Sequence, residues 1–451
     1  MSNQSKSPSW MIDFKQYKDL SAIVWEARYY SYSYLEERIE FWEKRITNIL
    51  GGEIVALESD FTPETVALLF ALIKRKAIIV PLDISQSENN AHKLKIAQAE
   101  LLIRVGKNES IEFHELDTPG EKNRLFKIIS DRGIPGLILF TSGSSGEPKA
   151  ALHDFSKLLK KFETKRKALR TINFLLFDHW GGLNTLFHVL SNGGTVVFLE
   201  NRNPDYVCEL IENYKVELLP ASPTFLNMLL LSKAYKRKSL QSLKIISYGA
   251  EPMPENLLRT LNELFPDIAF HQTYGLIELG VMRSKSQSNG SLLVKIGGEG
   301  FNTRVVEGIL QIKSDSAMLG YLNAPSPFTE DGWFITGDSV EENGEYLKIL
   351  GRKSEIINVG GEKVFPQEVE NVIIELPFIQ DVLVYGESNP LTGKIVCAKI
   401  KYESTETHSD IVKQIKIYCR SKLASFKVPV KIIKSETDLN NNRFKKTRIN
   451  G

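Results

Sequence analysis

Apolar residues return along this chain with two distinct rhythms. Between residues 34 and 50, Leu35, Ile39, Trp42, Ile46 and Ile49 recur at alternating steps of four and three. That spacing puts their side chains on one face of an α-helix. Further on, short continuous apolar runs alternate with longer amphipathic stretches. Residues 54–57, 77–80, 101–105, 136–140, 174–177, 195–199, 216–219 and 244–248 read as strands, and 62–74, 156–169, 204–214 and 254–265 as helices. Uninterrupted apolar strands are buried on both faces, so their alternation with helices predicts helix-covered, mostly parallel sheets.

The pattern changes after about Ser284. Residues 292–296, 303–306 and 309–312 are short strands punctuated by glycines, which suggests a small antiparallel β unit. From Tyr346 a third pattern sets in, with strands expected at 356–359, 382–386 and 395–401 and helices at 367–376 and 410–423. The expectation is an α/β chain with a large N-terminal domain, residues 1–352, and a small α+β C-terminal domain, residues 353–451. A hinge near Lys353 and Ser354 joins them.

Composition adds exclusions. With 451 residues, 42% hydrophobic and 25% charged, the chain is ordinary for a globular protein. A net charge of +2 offers no polycation for a nucleic-acid backbone. Cys208, Cys397 and Cys419 lie far apart, with no paired spacing for zinc or a disulfide framework. Residues 1–10 lack a signal-peptide core. The longest apolar runs fall well short of the ~20 residues that span a bilayer. The expected location is cytoplasmic, with no membrane span and no nucleic-acid partner.

The sharpest local signal is Thr141-Ser142-Gly143-Ser144-Ser145-Gly146-Glu147-Pro148-Lys149, directly after the apolar run 136–140. Glycines let backbone N–H groups approach a phosphate, hydroxyls donate to it, and a lysine neutralises its charge. The segment is not a Walker A loop, because Pro148 stands where that motif needs glycine. Taken alone, a Ser/Gly tract is more often a surface turn; the lysine and the preceding strand favour the phosphate reading.

These nine residues resemble the signature loop of the adenylate-forming superfamily: acyl- and aryl-CoA synthetases, peptide-synthetase adenylation domains and luciferases. Other segments resemble that family's motifs in the right order. They are Tyr32 to Glu36, then residues 74–82 ending in Val80-Pro81-Leu82, then Tyr248-Gly249-Ala250-Glu251-Pro252. After these come Tyr274-Gly275-Leu276-Ile277-Glu278, residues 308–321 ending in Gly320-Tyr321, residues 332–338 ending in Thr336-Gly337-Asp338, and residues 351–370 opening on Gly351-Arg352. The resemblance spans essentially the whole chain.

The resemblance implies ATP-dependent activation of a small carboxylic acid to an acyl-adenylate, with transfer to the phosphopantetheine thiol of CoA or of a separate acyl carrier protein. ATP and Mg2+ are the implied cofactors. Thr141, Ser142, Gly143, Ser144, Ser145, Gly146, Gly249, Ala250, Glu251, Tyr274, Gly275, Asp338 and Arg352 would bind ATP, with Tyr274 on the adenine and Asp338 on the ribose hydroxyls. Glu278 would hold the metal, a hard cation suited to carboxylate oxygen. Lys149 and Lys445 would act in catalysis, Lys445 on charge that builds in adenylation, with Lys446 the runner-up. Gly360, Gly361 and Lys363 would line the pantetheine channel.

Asp178, His179 and Trp180 stand where the family lines its acyl pocket. A His179 register implies a simple acid. An Asp178 register implies a substrate ammonium, as in amino-acid adenylation. Taken singly, each residue has a plainer reading: a solvated carboxylate for Glu278, a turn aspartate for Asp338, a core tyrosine for Tyr274, a surface ion pair for Arg352 and a solvated basic tail for Lys445. The chain departs from the family at Ile277, Ser354, Leu439, Asn441 and Phe444, which also motivates a non-catalytic nucleotide-binding alternative.

Overall fold

The structure, a computed structural model, describes residues 12–117, 120–142, 147–437 and 439. Two seven-stranded sheets form the body of the N-terminal domain. In the first the order is Ala269–Gln272, Ile245–Tyr248, Leu218–Ala221, Arg170–Ile172, Thr195–Val197, Ser21–Trp25 and Arg28–Ser31, parallel throughout except for the final pair. The second runs Gly320–Tyr321, Pro148–Asp154, Gly136–Ser142, Ile78–Asp83, Ile54–Ser59, Leu101–Val105 and Ile111–Glu115. Its four central strands are parallel and its flanking strands antiparallel.

Helices fill the space between the sheets. One apolar cluster joins Ile23 and Val196 of the first sheet to Leu57 and Leu139 of the second, through Leu35, Leu68 and Leu183 of three helices. The helix Pro63–Lys74 shows why. Thr62 accepts a hydrogen bond from the Thr65 N–H, Pro63 opens the first turn, and every residue from Pro63 to Ile73 is buried. A helix apolar on all sides belongs inside. The helix predicted around 34–50 is Tyr32–Arg45, capped by Ser31. The family-like segment at Tyr32 thus marks a real helix start.

A six-stranded sheet follows, in the order Arg283–Ser286, Leu293–Gly297, Tyr346–Arg352, Phe334–Asn343, Ile309–Ser314 and Phe301–Val306, antiparallel at every pairing. This is the glycine-punctuated unit expected after Ser284. Beyond it, the strands Ile357–Val359, Ile379–Asn389 and Gly393–Tyr402 pack with the helices Pro366–Ile373 and His408–Lys422 around a core of their own. A separate core is what makes a segment a domain. Among the described residues no helix is long and apolar enough to cross a membrane.

Two expected elements differ. Residues 174–177 are not a strand, and Arg170–Ile172 takes that place in the sheet. Phe174 and Phe177 are buried all the same, so their apolarity reports burial and not extended backbone. The helix expected over 156–169 stops at Lys160 and tightens into the 3-10 turn Lys161–Glu163. After the buried Phe162, residues 163–168 are exposed and offer no apolar anchor for another turn.

Candidate active site

The described ends of the signature segment lie on two paired strands. Its entry strand Gly136–Ser142 and exit strand Pro148–Asp154 are antiparallel neighbours, with Thr141 opposite Lys149 and Ser142 opposite Pro148. A strand follows the loop, not a helix, which separates it physically from the strand–loop–helix phosphate site of Walker A proteins. Gly143, Ser144, Ser145, Gly146 and the Ser142 side chain lie outside the described residues, as do Lys445 and Lys446. At the exit, Glu147 pairs with His92 at 2.8 Å on the surface.

Tyr321 connects the exit strand to Glu278. It sits opposite Ala151 in the antiparallel pairing of Gly320–Tyr321 with Pro148–Asp154. Its hydroxyl donates to Glu278 Oε1 at 2.5 Å. The Lys149 ammonium lies 5.6 Å from the centroid of its ring. Burial first, and the Glu278 charge next, hold the Tyr321 phenol above its ordinary range, so it remains a donor.

Asp338 forms the second focus. It faces Arg352 across the antiparallel ladder of Phe334–Asn343 and Tyr346–Arg352. Arg352 Nε lies 2.8 Å from Asp338 Oδ1, and the Tyr274 hydroxyl donates to Asp338 Oδ2. Arg352 also donates to the Thr336 carbonyl at 2.7 Å, while the Thr336 hydroxyl accepts from the Asp338 N–H at 3.0 Å. Burial raises the Asp338 pKa, with Arg352 and the Tyr274 hydroxyl acting against it. Burial followed by the Asp338 charge raises Tyr274 well above its ordinary value. The Tyr274 ring belongs to an apolar cluster with Leu279, Met282 and Phe334.

Three more sequence-predicted segments adjoin these foci. Gly249 has no room for a side chain, since a Cβ there would stand 2.5 Å from the Thr273 hydroxyl and 2.7 Å from its carbonyl. Ala250 takes a left-handed backbone at φ 69°. Glu251 accepts from the Thr224 hydroxyl at 2.7 Å. Gly275 pairs with Val281 in a two-stranded ribbon that carries Glu278 at its turn. Trp180 is buried, and a Cβ on Gly280 would lie 3.4 Å from its indole nitrogen, so the Asp178 to Trp180 segment meets the Glu278 segment there.

His179 caps the helix Trp180–Ser191, accepting the Gly181 N–H on Nδ1 at 3.0 Å. That bond requires an unprotonated Nδ1. Asp178, 3% exposed, has Oδ2 3.7 Å from the Lys93 ammonium. Lys93 donates to Asn90 at 3.3 Å, and Asn90 donates to Glu58 at 2.8 Å.

Gly360 and Gly361 form an exposed turn between Ile357–Val359 and Glu362–Val364, both at positive φ, and Lys363 is exposed on the strand that follows, opposite Asn358. Lys353 and Ser354 form an exposed 3-10 turn directly after Arg352. The described geometry thus brings Lys149, Glu278, Tyr274, Asp338 and Arg352 into one region. It does not join the Gly360 turn to them by any described contact. Sequence reasoning misses the roles of Tyr321 and Lys93: Tyr321 closes the motif of residues 308–321, whereas Lys93 carries no motif signal at all.

The sequence profile of the AMP-binding enzyme family matches residues 12–322, and that of the AMP-binding enzyme C-terminal domain matches residues 368–446. An indoleacetate–CoA ligase of Aromatoleum aromaticum is 29% identical over 330 residues, covering 66% of this chain. The chain spans only 63% of that ligase's own length. A 2-succinylbenzoate–CoA ligase of Geobacillus is 25% identical, over 86% of this chain and 84% of that one. Among solved structures, an anthranilate CoA ligase in complex with anthranoyl-AMP superposes with a TM-score of 0.82 over 99% of this chain and 97% of that one, at 19% identity, which shows the shared fold. With both halves of the chain matched in order and the motif residues gathered in space, the chain belongs to the AMP-binding enzyme family.

Proposed function

We propose that the protein couples ATP to a carboxylic acid, forming an acyl-adenylate, and passes the acyl group to the thiol of CoA. The observation that carries this reading is the convergence of an ammonium, a carboxylate and a ribose-type carboxylate: Lys149 and Glu278 meet on Tyr321, and Asp338 is held by Tyr274 and Arg352. A triphosphate, a divalent cation and a vicinal diol are the ligands that such a set would recognise. The two named ligase relatives support an acid as substrate and CoA as acceptor. A carrier-protein thiol is the alternative acceptor, and the cytoplasm the proposed location.

Glu278 fits magnesium. Among the described residues no group of three or more His, Cys, Asp or Glu is placed to hold a metal. Magnesium commonly takes one or two carboxylates and fills its remaining positions with water and substrate phosphates. When bound, magnesium would neutralise triphosphate charge and polarise its oxygens. Lys149, with the hydroxyls and backbone of Thr141 to Gly146, would hold the phosphates in line with the acid. Asp338 would accept the ribose hydroxyls, and Tyr274 and Gly249 to Glu251 would border the adenine. Lys445 would meet the charge that grows on the α-phosphate.

The boundary between residues 352 and 353 would then be the hinge. Rotation about Lys353 and Ser354 would withdraw Lys445 and bring the Gly360, Gly361 and Lys363 turn to the site for thiol attack. Holding the acid and the phosphate in reacting geometry supplies much of the rate. The Lys93 ammonium beside Asp178 answers that carboxylate within the protein. This favours an acid that carries no ammonium over an amino acid, and it favours the His179 register.

Pyrophosphate release measured across a library of acids tests the proposal. Release should require both magnesium and an acid. ADP and phosphate as products would overturn it, as would nucleotide binding without turnover on any acid.

A further inference from the structure

We propose that Tyr321 is a positioning residue that orients the Glu278 carboxylate toward its cation and at the same time seats Lys149. This rests on the reading that Glu278 holds magnesium and Lys149 the phosphates. A phenol has a single proton to donate. In Tyr321 it goes to Glu278 Oε1 at 2.5 Å. That bond draws charge from Oε1 and leaves Oε2 the stronger oxygen for a hard cation. It also removes the torsional freedom that a glutamate otherwise surrenders on ligand binding. On the same side chain the ring offers its face to the Lys149 ammonium, 5.6 Å from the centroid.

The segment that carries Tyr321 is itself bound tightly to the loop's exit strand. The Leu319 N–H donates to the Leu152 carbonyl at 2.7 Å, and the Leu322 N–H to the Ala150 carbonyl at 2.9 Å. Asn323 completes the attachment. Its Nδ2 donates to the Pro148 carbonyl at 2.9 Å, and its Oδ1 accepts the Ala150 N–H at 3.0 Å. On the other side, the Met318 N–H donates to the Glu278 carbonyl at 2.8 Å, and the Ser316 hydroxyl donates to the Leu279 carbonyl at 2.9 Å. Residues 316–323 therefore bridge the Glu278 turn to the base of the loop, with Tyr321 the member whose side chain touches both charged groups. A displacement of either group is felt by the other through this one ring.

Calorimetric titration with an α,β-methylene ATP analogue, with and without magnesium, tests the inference without relying on turnover. Four proteins form a cycle: wild type, Tyr321→Phe, Glu278→Ala and the double variant. Tyr321→Phe keeps the ring and the strand pairing. It should weaken the magnesium-dependent part of the affinity by about tenfold, the usual scale for a hydrogen bond to a charged group, and leave metal-free affinity unchanged. In the Glu278→Ala background the same substitution should have no further effect. Tyr321→Leu, which also removes the seat of Lys149, should weaken metal-free binding as well. A folded Tyr321→Phe with wild-type magnesium dependence, or additive effects around the cycle, would overturn the inference while leaving Glu278 as a metal ligand. A wild-type protein whose affinity ignores magnesium would overturn both.

Discussion

Tyr274 donates its phenolic hydrogen to one oxygen of Asp338, while Arg352 holds the other oxygen of the same carboxylate. Both side chains of the Tyr274–Asp338 pair are buried. A carboxylate offers about four lone-pair sites, so two contacts orient the group and leave sites for two further donors. On the proposed reading, Asp338 is thus aimed before a nucleotide arrives, which would reduce the ordering cost of binding.

Replacing Asp338 with alanine should weaken ATP binding by roughly 2 kcal/mol or more, since the ribose hydroxyls lose their acceptor in a largely buried site. The same change leaves the Tyr274 hydroxyl without its carboxylate, so the melting temperature should also fall. Calorimetric titration and a melting curve measure the two effects. An unchanged affinity in a folded variant would reduce Asp338 to a structural strand residue.

Ile277 stands where the family-like motif has a hydroxyl. Sequence reasoning alone makes Ile277→Thr neutral or favourable for adenylation. The structure alters that expectation, because Ile277 packs against two apolar clusters. The threonine variant should lose about 1 kcal/mol of stability or somewhat more, with pyrophosphate release changed by less than about tenfold. A rate collapse in a folded variant would show that isoleucine packing sets the geometry of Glu278.

His153 is fully buried in the exit strand, and burial depresses its pKa from 6.5 to about 4, with the carbonyls of Ile277 and Ser316 acting weakly against this. Between those values the unfolded chain binds a proton that the folded protein refuses. Stability from the neutral ring is therefore complete above pH 6.5 and is lost as pH falls toward 4, on the order of 3 kcal/mol in full. His188 is depressed to about 4 by burial as well and acts in the same direction. Melting temperatures between pH 7 and 4.5 should fall less steeply in His153→Phe than in wild type. Equal slopes would place the acid sensitivity elsewhere.

The two half-reactions should separate by mutation. Lys445→Ala should cut acid-dependent pyrophosphate release by about a hundredfold or more. It should still convert synthetic acyl-adenylate and CoA to thioester at nearly the wild-type rate. Gly361→Leu should do the reverse. Gly361 has open space around it but a φ of 94°, so its substitution strains an exposed turn and spares the adenylation site. Equal loss of both steps in both variants would remove the domain rotation from the mechanism.

Much of the large domain is legible in the chain. Parallel strands declare themselves by unbroken apolarity, and Pro204–Tyr214 and Leu101–Val105 have the boundaries that the pattern predicts. The edge strand Arg28–Ser31 is less visible, because it is half-exposed and mixed in polarity. The site divides in the same way. Glu278, Asp338 and Arg352 stand in recognisable motifs, but their roles as partners of Tyr321 and Tyr274 depend on which strands become neighbours. Local sequence does not encode that pairing. Lys93 is the clearest case, since it meets Asp178 across a separation of 85 residues with nothing in its own surroundings to mark it.

Arg352 is tied to Asp338 and to the Thr336 carbonyl, and the exposed turn Lys353–Glu355 begins at the next residue. The proposed hinge therefore begins at the residue directly after the side chain that holds Asp338. An inserted residue after Arg352 would re-aim the whole C-terminal domain and leave Asp338 where it is. An inserted residue before Arg352 would shift the Asp338–Arg352 register of the ladder and damage the proposed nucleotide site. On the proposed mechanism, the hinge can thus be lengthened from one side only without disturbing the Asp338–Arg352 pair.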